Sequence, residues 1–236
     1  MSADNSKDAF GSEVLRQSPK FKVWKRNIES SGCVIRKLES LQELCKPDGS
    51  LLFALLKSRV EDPKGRPLPA YALLRGGASL VVPVVENAVT GERKFLMIRQ
   101  RRIGHGHASL EFPAGMLDKD VGDPAGVALR ELREETGLDI APEDLHSLCD
   151  KGLYSSPGLD DETIHFFTCH IVLSPESIAN LDGSEKGEAD EHEYIQTSLW
   201  TIAEALPEMD SLQARLALYL YGEYKQRRSN GNGRPS

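Results

Sequence analysis

The chain lacks the marks of several broad classes. No run approaches 18 apolar residues, so no transmembrane helix and no membrane partner are expected. The opening stretch, MSADNSKDAFGSE, has no apolar core of the secretory kind, and its early acids disfavour a mitochondrial presequence. Cysteine is scarce: Cys33, Cys45, Cys149 and Cys169 are the four, none in C-x-x-C spacing. That spacing offers no zinc site and points to reduced thiols in a cytoplasmic compartment. Positive charge is in deficit, with 29 Lys and Arg against 36 Asp and Glu and a formal net charge of -7. Such a balance argues against a general nucleic-acid-binding surface. Charged residues are 28% of the chain beside ample aliphatics, so 236 residues hold an ordinary globular core, one full domain plus an extension.

The rest of the chain is organised around Glu111 to Leu138, EFPAGMLDKDVGDPAGVALRELREETGL. Its second half reads as a helix with defined ends. Asp123 is an N-cap whose carboxylate accepts first-turn N–H groups. Pro124 sits at the first helical position, where no N–H is needed. Gly137 suits a left-handed C-cap. Ala125, Ala128, Leu129 and Leu132 form an apolar stripe at i, i+3, i+4, i+7. Beside it, Glu131, Glu134 and Glu135 fall at i, i+3, i+4. Taken alone, these acids also read as a solvated face. Three carboxylates in one turn repel unless neutralised, and a hard, oxygen-ligated divalent cation would neutralise them.

In chain order, residues 1–18 read as a disordered polar lead. FKVWKRNI, CVIRKL, LLFALLKSRV and YALLRG carry short apolar or alternating patterns, with SLQELCK as a short helix and Pro63, Gly65, Pro67 and Pro69 in a connector. Lys20, Lys22, Lys25 and Arg26 read as a solvated strand face. SLVVPVVE and KFLMIRQRR form a hairpin, with Pro83 pointing to an edge or bulge. His105 and His107 form H-x-H without an evident third ligand. Residues 174–192 are polar and loop-like, followed by the strand EYIQTSLW. Two amphipathic helices close the domain, with Leu212, Leu216, Tyr219 and Leu220 as the apolar face of the second. Residues 229–236 read as a disordered tail.

The central stretch resembles the signature of the Nudix hydrolases: G, five residues, E, seven residues, then R-E-apolar-x-E-E-x-G-apolar. Gly115, Arg130, Glu131, Leu132, Glu134, Glu135, Gly137 and Leu138 match it. Two departures stand out. The spacing from Gly115 to Arg130 is one residue longer than the pattern. The early Glu is absent, its region being Asp120, Val121, Gly122 and Asp123. IRQRR followed by EFPAG resembles the corresponding segments of ADP-ribose and ADP-sugar pyrophosphatases, with Arg102 and Glu111 at the matching positions. Ser156, Pro157, Gly158, Asp161, Glu162, Ile164, His165 and Phe167 match a further segment that separates this subgroup from mutT-like triphosphatases. His165, on an apolar strand, reads as a packed histidine. The Asp-rich loop resembles that of plant-type ADP-sugar diphosphatases.

The resemblance implies an α/β (α+β) fold: a Nudix α/β/α sandwich around a mixed sheet over residues 78–228, preceded at 19–77 by a strand-rich subdomain that forms a homodimer. It implies hydrolysis of a nucleotide sugar, ADP-ribose or ADP-glucose, to AMP and a sugar phosphate. UDP-sugars are the competing substrates, and a ligand-binding regulator without hydrolysis is the alternative class. By the same resemblance, the Ala114 carbonyl, Glu131 and Glu135 hold Mg²⁺ or Mn²⁺. Glu134 completes the cluster, by metal binding or by accepting a proton, and Arg130 pairs with the acids. Glu191 or Glu193, from a mobile loop, helps to activate water. Arg102, Glu111 and Glu162 face the substrate.

Overall fold

A computed structural model describes residues 11–118, 122–186 and 194–230. These residues sort into two units that alternate along the sequence. The first holds the residues through Gly77, Leu117 with Asp118, and Tyr154–Thr163. The second holds Ala78–Met116, Gly122–Leu153 and the residues from Ile164 onward.

The first unit begins with helices α1 (Glu13–Gln17) and α2 (Pro19–Ser30). Three antiparallel strands follow in spatial order: β1 (Val34–Cys45), β2 (Leu51–Glu61) and β3 (Tyr71–Leu74). Leu15, Phe21 and Trp24 from the helices pack on Leu38, Ala54, Leu56 and Leu74 of the strands. Three expectations change here. Glu13–Gln17 is helical and capped by Ser12, with Leu15 fully buried, where a disordered lead was expected. FKVWKRNI is helical: Pro19 opens α2, and Phe21 and Trp24 at i, i+3 supply its buried face, a pattern that over so few residues also fits strand alternation. SLQELCK is the second half of β1, because Gln42, Glu43 and Leu44 pair with Leu55, Ala54 and Phe53 of β2, and that pairing overrides a weak helical preference.

Lys20 is not on a solvated face either; it is 2% exposed. Its Nζ lies 2.9 Å from Asp118 Oδ1 and donates to the Leu52 carbonyl at 2.8 Å. Lys46 Nζ reaches the other Asp118 oxygen at 2.5 Å. Gly76, at φ +83°, lies against the Lys20 stem, where a Cβ would crowd the chain. The left-handed backbone and this approach both call for glycine there.

The second unit is a layered α/β/α assembly. Its sheet runs β11–β12–β5–β4–β10–β8. The strands are β4 (Ala78–Asn87), β5 (Arg93–Arg101), β6 (Ala108–Glu111), β7 (Ala114–Met116), β8 (His146–Ser147), β9 (Leu153–Tyr154), β10 (Thr163–Leu173), β11 (Glu185–Lys186) and β12 (Ile195–Trp200). β4 pairs parallel with β10 and antiparallel with β5, so the sheet is mixed. The helices are α3 (Pro124–Thr136), α4 (Pro175–Leu181), α5 (Ile202–Glu208) and α6 (Leu212–Ser229). Alternation along the strands divides the core. Val81 and Phe167 pack on Ala128 and Leu132 of α3, whereas Leu80, Val82 and Phe166 pack on Ala214, Ala217 and Leu218 of α6.

Pro83 is on an interior strand, not an edge. It falls between Leu80, the last residue of β4 paired to β7 in that direction, and Val84, the first paired to β5. The ladder on that side is interrupted there. Residues 174–186 are also more ordered than a loop. Ser174 caps α4, Pro175 opens it, and Ile178 and Leu181 join a small core with Val85 and Leu96. In α6 the buried residues are Ala214, Ala217, Leu218 and Leu220, while Leu212 and Tyr219 of the expected stripe are exposed. Alanines serve where helix and sheet approach closely, so bulky residues misreport that face.

Candidate active site

β7 is only three residues long, and α3 docks on it. The helix has the ends its sequence dictates. Asp123 Oδ1 accepts the Gly126 N–H at 2.9 Å, and Gly137 closes it at φ +77° with its N–H on the Arg133 carbonyl at 2.8 Å. The start is tied to the sheet as well: Ser79 Oγ, fully buried on β4, donates to the Pro124 carbonyl at 2.7 Å. Val127, Ala128 and Leu132 are buried, but so is Glu135, and Ala125 is exposed. The inward face of α3 is therefore rotated toward its carboxylates.

Two successive residues of β7 receive two carboxylates one helical turn apart. Glu135 is 4% exposed, and its Oε2 accepts the Ala114 N–H at 3.0 Å. Glu131 lies against Gly115, where any Cβ would overlap its carboxylate. The signature glycine thus provides a flat place for an acid. Arg130 spans the neighbouring acids, with Nη2 at 3.3 Å from Glu131 and Nε at 3.8 Å from Glu134. Glu134 is the more open of the three, its side chain 38% exposed. Buried or half-buried carboxylates demand donors or cations, because desolvating a charge is costly.

Ala114, Glu131, Glu134 and Glu135 are thus brought together. A second pair forms where β5 ends beside β6: Arg102, the residue after β5, contacts Glu111 of β6 in fork geometry, Nε to Oε1 at 3.2 Å and Nη2 to Oε2 at 2.8 Å. Glu162 belongs to the first unit, where Arg75 holds it at 2.6 Å. Beside it, Asp161 accepts the N–H groups of Arg75 and Gly76 at 2.7 and 2.9 Å. Burial raises the Asp161 carboxyl above its usual range against these bonds. Glu191 and Glu193 lie outside the described residues. His165 is half-buried, and burial pushes its imidazole down, as suits a packed neutral histidine. His105 and His107 are exposed on a turn with ring centroids 5.9 Å apart. The sequence marks no role for Ser79 or Asp118 and places Lys20 among solvated cations. A serine in an apolar strand run was the available signal for the first, and the other two had none.

Among the described residues, no three His, Cys, Asp or Glu side chains form a ready metal cluster. Glu131 and Glu135 nevertheless fit a hard divalent cation. Both are oxygen donors anchored on rigid backbone, and a carboxylate has lone pairs beyond those that one N–H occupies. Among the described residues, no helix is long and apolar enough to cross a membrane.

The NUDIX domain family matches residues 80–219. The chain belongs to the Nudix family. Among its relatives is Nudix hydrolase 14, chloroplastic, of Arabidopsis thaliana, 29% identical over 235 residues, covering 94% of this chain and 74% of that protein. The ADP-ribose pyrophosphatase of Bacillus subtilis (strain 168) is 34% identical over 152 residues, covering 64% of this chain and 72% of its own. A solved ADP compounds hydrolase superposes with a TM-score of 0.59, covering 85% of this chain and 97% of that one. At 21% identity, that likeness speaks for the Nudix fold alone.

Proposed function

We propose that this Nudix protein hydrolyses the pyrophosphate bond of an ADP-sugar, ADP-ribose or ADP-glucose, releasing AMP and a sugar phosphate. The observation that carries the reading is the docking of Glu131 and Glu135 on Gly115 and Ala114 of β7. The relative named ADP-ribose pyrophosphatase supports the substrate class.

In this reading Glu131, Glu135 and the Ala114 carbonyl hold Mg²⁺, with Mn²⁺ as the substitute. When bound, the cation neutralises pyrophosphate charge and lowers the pKa of a water. Glu134, open to solvent beside them, accepts a proton from the attacking water. Glu191 or Glu193 shares that role. The Arg102 guanidinium, preset by Glu111, orients a phosphate or stacks on adenine. All four cysteines are free, which suits a reducing, cytoplasmic location. A homodimer through the first unit is supported by the edge strand β1, which exposes Val34, Leu41 and Leu44.

The test is release of AMP from ADP-ribose and ADP-glucose, and of UMP from UDP-glucose, with Mg²⁺ and with chelator. Cleavage of an ADP-sugar that stops on chelation supports the proposal. Preference for UDP-glucose moves the assignment to the competing substrate. No cleavage of any of the three overturns it in favour of a binding protein.

A further inference from the structure

The second unit carries a concavity of about 390 Å³ between α6 and the β4–β10 part of the sheet. That volume lies within the usual range of small-molecule sites, roughly 300–1,000 Å³. It is on the other side of the sheet from α3. Val84, Thr168 and His170 line it, alternating with Phe167, which packs on α3.

The wall supplied by α6 has an unusual composition. Tyr221, Tyr224, Lys225 and Arg228 fall at i, i+3, i+4, i+7 and so share one helix face. A helix that merely covered a sheet would place aliphatic residues there. Instead the rings are arranged in series. Tyr221 and Tyr224 are stacked with centroids 6.5 Å apart, and His146 stacks on Tyr224 at 6.1 Å. Arg228 lies over the Tyr224 ring at 5.6 Å and donates to its hydroxyl at 2.6 Å.

The charge is equally one-sided. Arg93, Lys225 and Arg228 line the space, and no Asp or Glu does among the described residues. Glu86 accounts for Arg93 at 2.5 Å and touches His170 at 3.0 Å. No carboxylate lies within ion-pair distance of Lys225 or Arg228 among the described residues. In a chain of net charge -7, a concave site lined by cations and aromatic faces is selective for an anion that carries a ring.

We infer that this pocket is a second ligand site, separate from the α3 carboxylates, that takes a nucleoside monophosphate. Lys225 and Arg228 meet the phosphate, and the Tyr221–Tyr224–His146 array meets the base. The inference does not rest on the hydrolase assignment, because binding is read without turnover.

The experiment is calorimetric titration of metal-free protein with AMP, adenosine and inorganic phosphate. It uses wild type, Glu135→Gln and the double variant Lys225→Ala/Arg228→Ala. We expect AMP binding that is equal in wild type and Glu135→Gln and at least about tenfold weaker in the double variant, as for loss of paired anion contacts. Adenosine and phosphate alone each bind more weakly than AMP. Equal AMP affinity in wild type and the double variant overturns the inference. So does loss of binding in Glu135→Gln with retention in the double variant, which assigns the ligand to α3. Absence of binding to wild type up to about 10 mM also overturns it. Circular dichroism melts check folding, and the exposed single variant Lys225→Gln repeats the test if the double variant does not fold.

Discussion

Two carboxylate sites, Asp118 and the Glu131–Glu135 pair, follow one another along the chain, and they are solved in opposite ways. Asp118, in the first unit, is clasped by two ammonium groups, Lys20 at 2.9 Å and Lys46 at 2.5 Å. Its charge is met from within. Glu131 and Glu135, in the second unit, are seated on backbone: one against a glycine and one on the Ala114 N–H. Arg130 is divided between Glu131 and Glu134. The Asp118 cluster is an anchor, whereas Glu131 and Glu135 are positioned on β7 with Arg130 beside them, and a carboxylate has lone pairs beyond those that one N–H occupies. The comparison teaches that an acid's partners, rather than its burial alone, separate a structural role from a chemical one.

The largest effect should come from Glu135→Gln. The amide oxygen still accepts the Ala114 N–H, so the melting curve moves little. Hydrolysis falls by about 10²–10³-fold, the scale seen when one essential electrostatic group is removed from a site. Full activity in the variant would make Glu135 an anchor like Asp118 and break the comparison. Gly115→Ala comes next. Its Cβ overlaps the Glu131 carboxylate, which must move. We expect a loss of about 10–100-fold in activity, as for displaced ligand-positioning groups. Overpacking adds about 1–3 kcal/mol of destabilisation, read by urea denaturation.

The difference between the two sites was only half visible in the sequence. The α3 acids were legible because cap, periodicity and motif coincide over Gly115 and Asp123–Leu138, and local signals of that kind survive folding. Arg102 and Glu111 are legible as motif positions but not as an ion pair, and the structure joins them through the β5–β6 pairing. The Asp118 clasp was invisible. It joins residues far apart in sequence, and nothing local distinguishes Lys20 from the solvated Lys22 beside it. The misread segments share a cause. FKVWKRNI and SLQELCK are short, and their state is set by the neighbours they meet: the strands of the first unit for one and β2 for the other. The inward turn of Glu135 was likewise hidden, since a helical wheel ranks it polar and assigns it outward.

Asp118→Asn tests the anchor side of the comparison. Removing the carboxylate leaves Lys20, 2% exposed, without its anionic partner, so a loss of about 1–3 kcal/mol is expected for a partly buried pair. The loss should depend on pH in a definite direction. Burial by itself raises the Asp118 carboxyl, but hydrogen bonds and charge from Lys46 and Lys20 outweigh it and hold the group below its ordinary 3.8. A depressed native pKa stabilises the fold above the unfolded value and ceases to do so as pH falls through the native one. The gap between wild type and variant in urea midpoint should therefore be constant from neutral pH to about 5 and close below about 4. A gap that persists unchanged at pH 3 would remove the ionic account of the clasp.

Arg102→Lys sharpens the comparison with the smallest change. The Arg102–Glu111 fork resembles the Asp118 clasp in being internally paired, yet the arginine side chain is 39% exposed. An exposed ion pair of this kind contributes about 0–1 kcal/mol, so the melting temperature should hardly move. Lysine keeps the charge but loses the planar two-point geometry. If the guanidinium meets phosphate or adenine, KM for ADP-ribose should rise by about tenfold with kcat nearly unchanged, the pattern of lost uniform binding. If stability and KM both stay at wild-type values, the fork is a surface pair, and internal pairing then marks structural groups in both units. If KM alone rises, a paired cation also serves the substrate, and Glu111 is the residue that presets it.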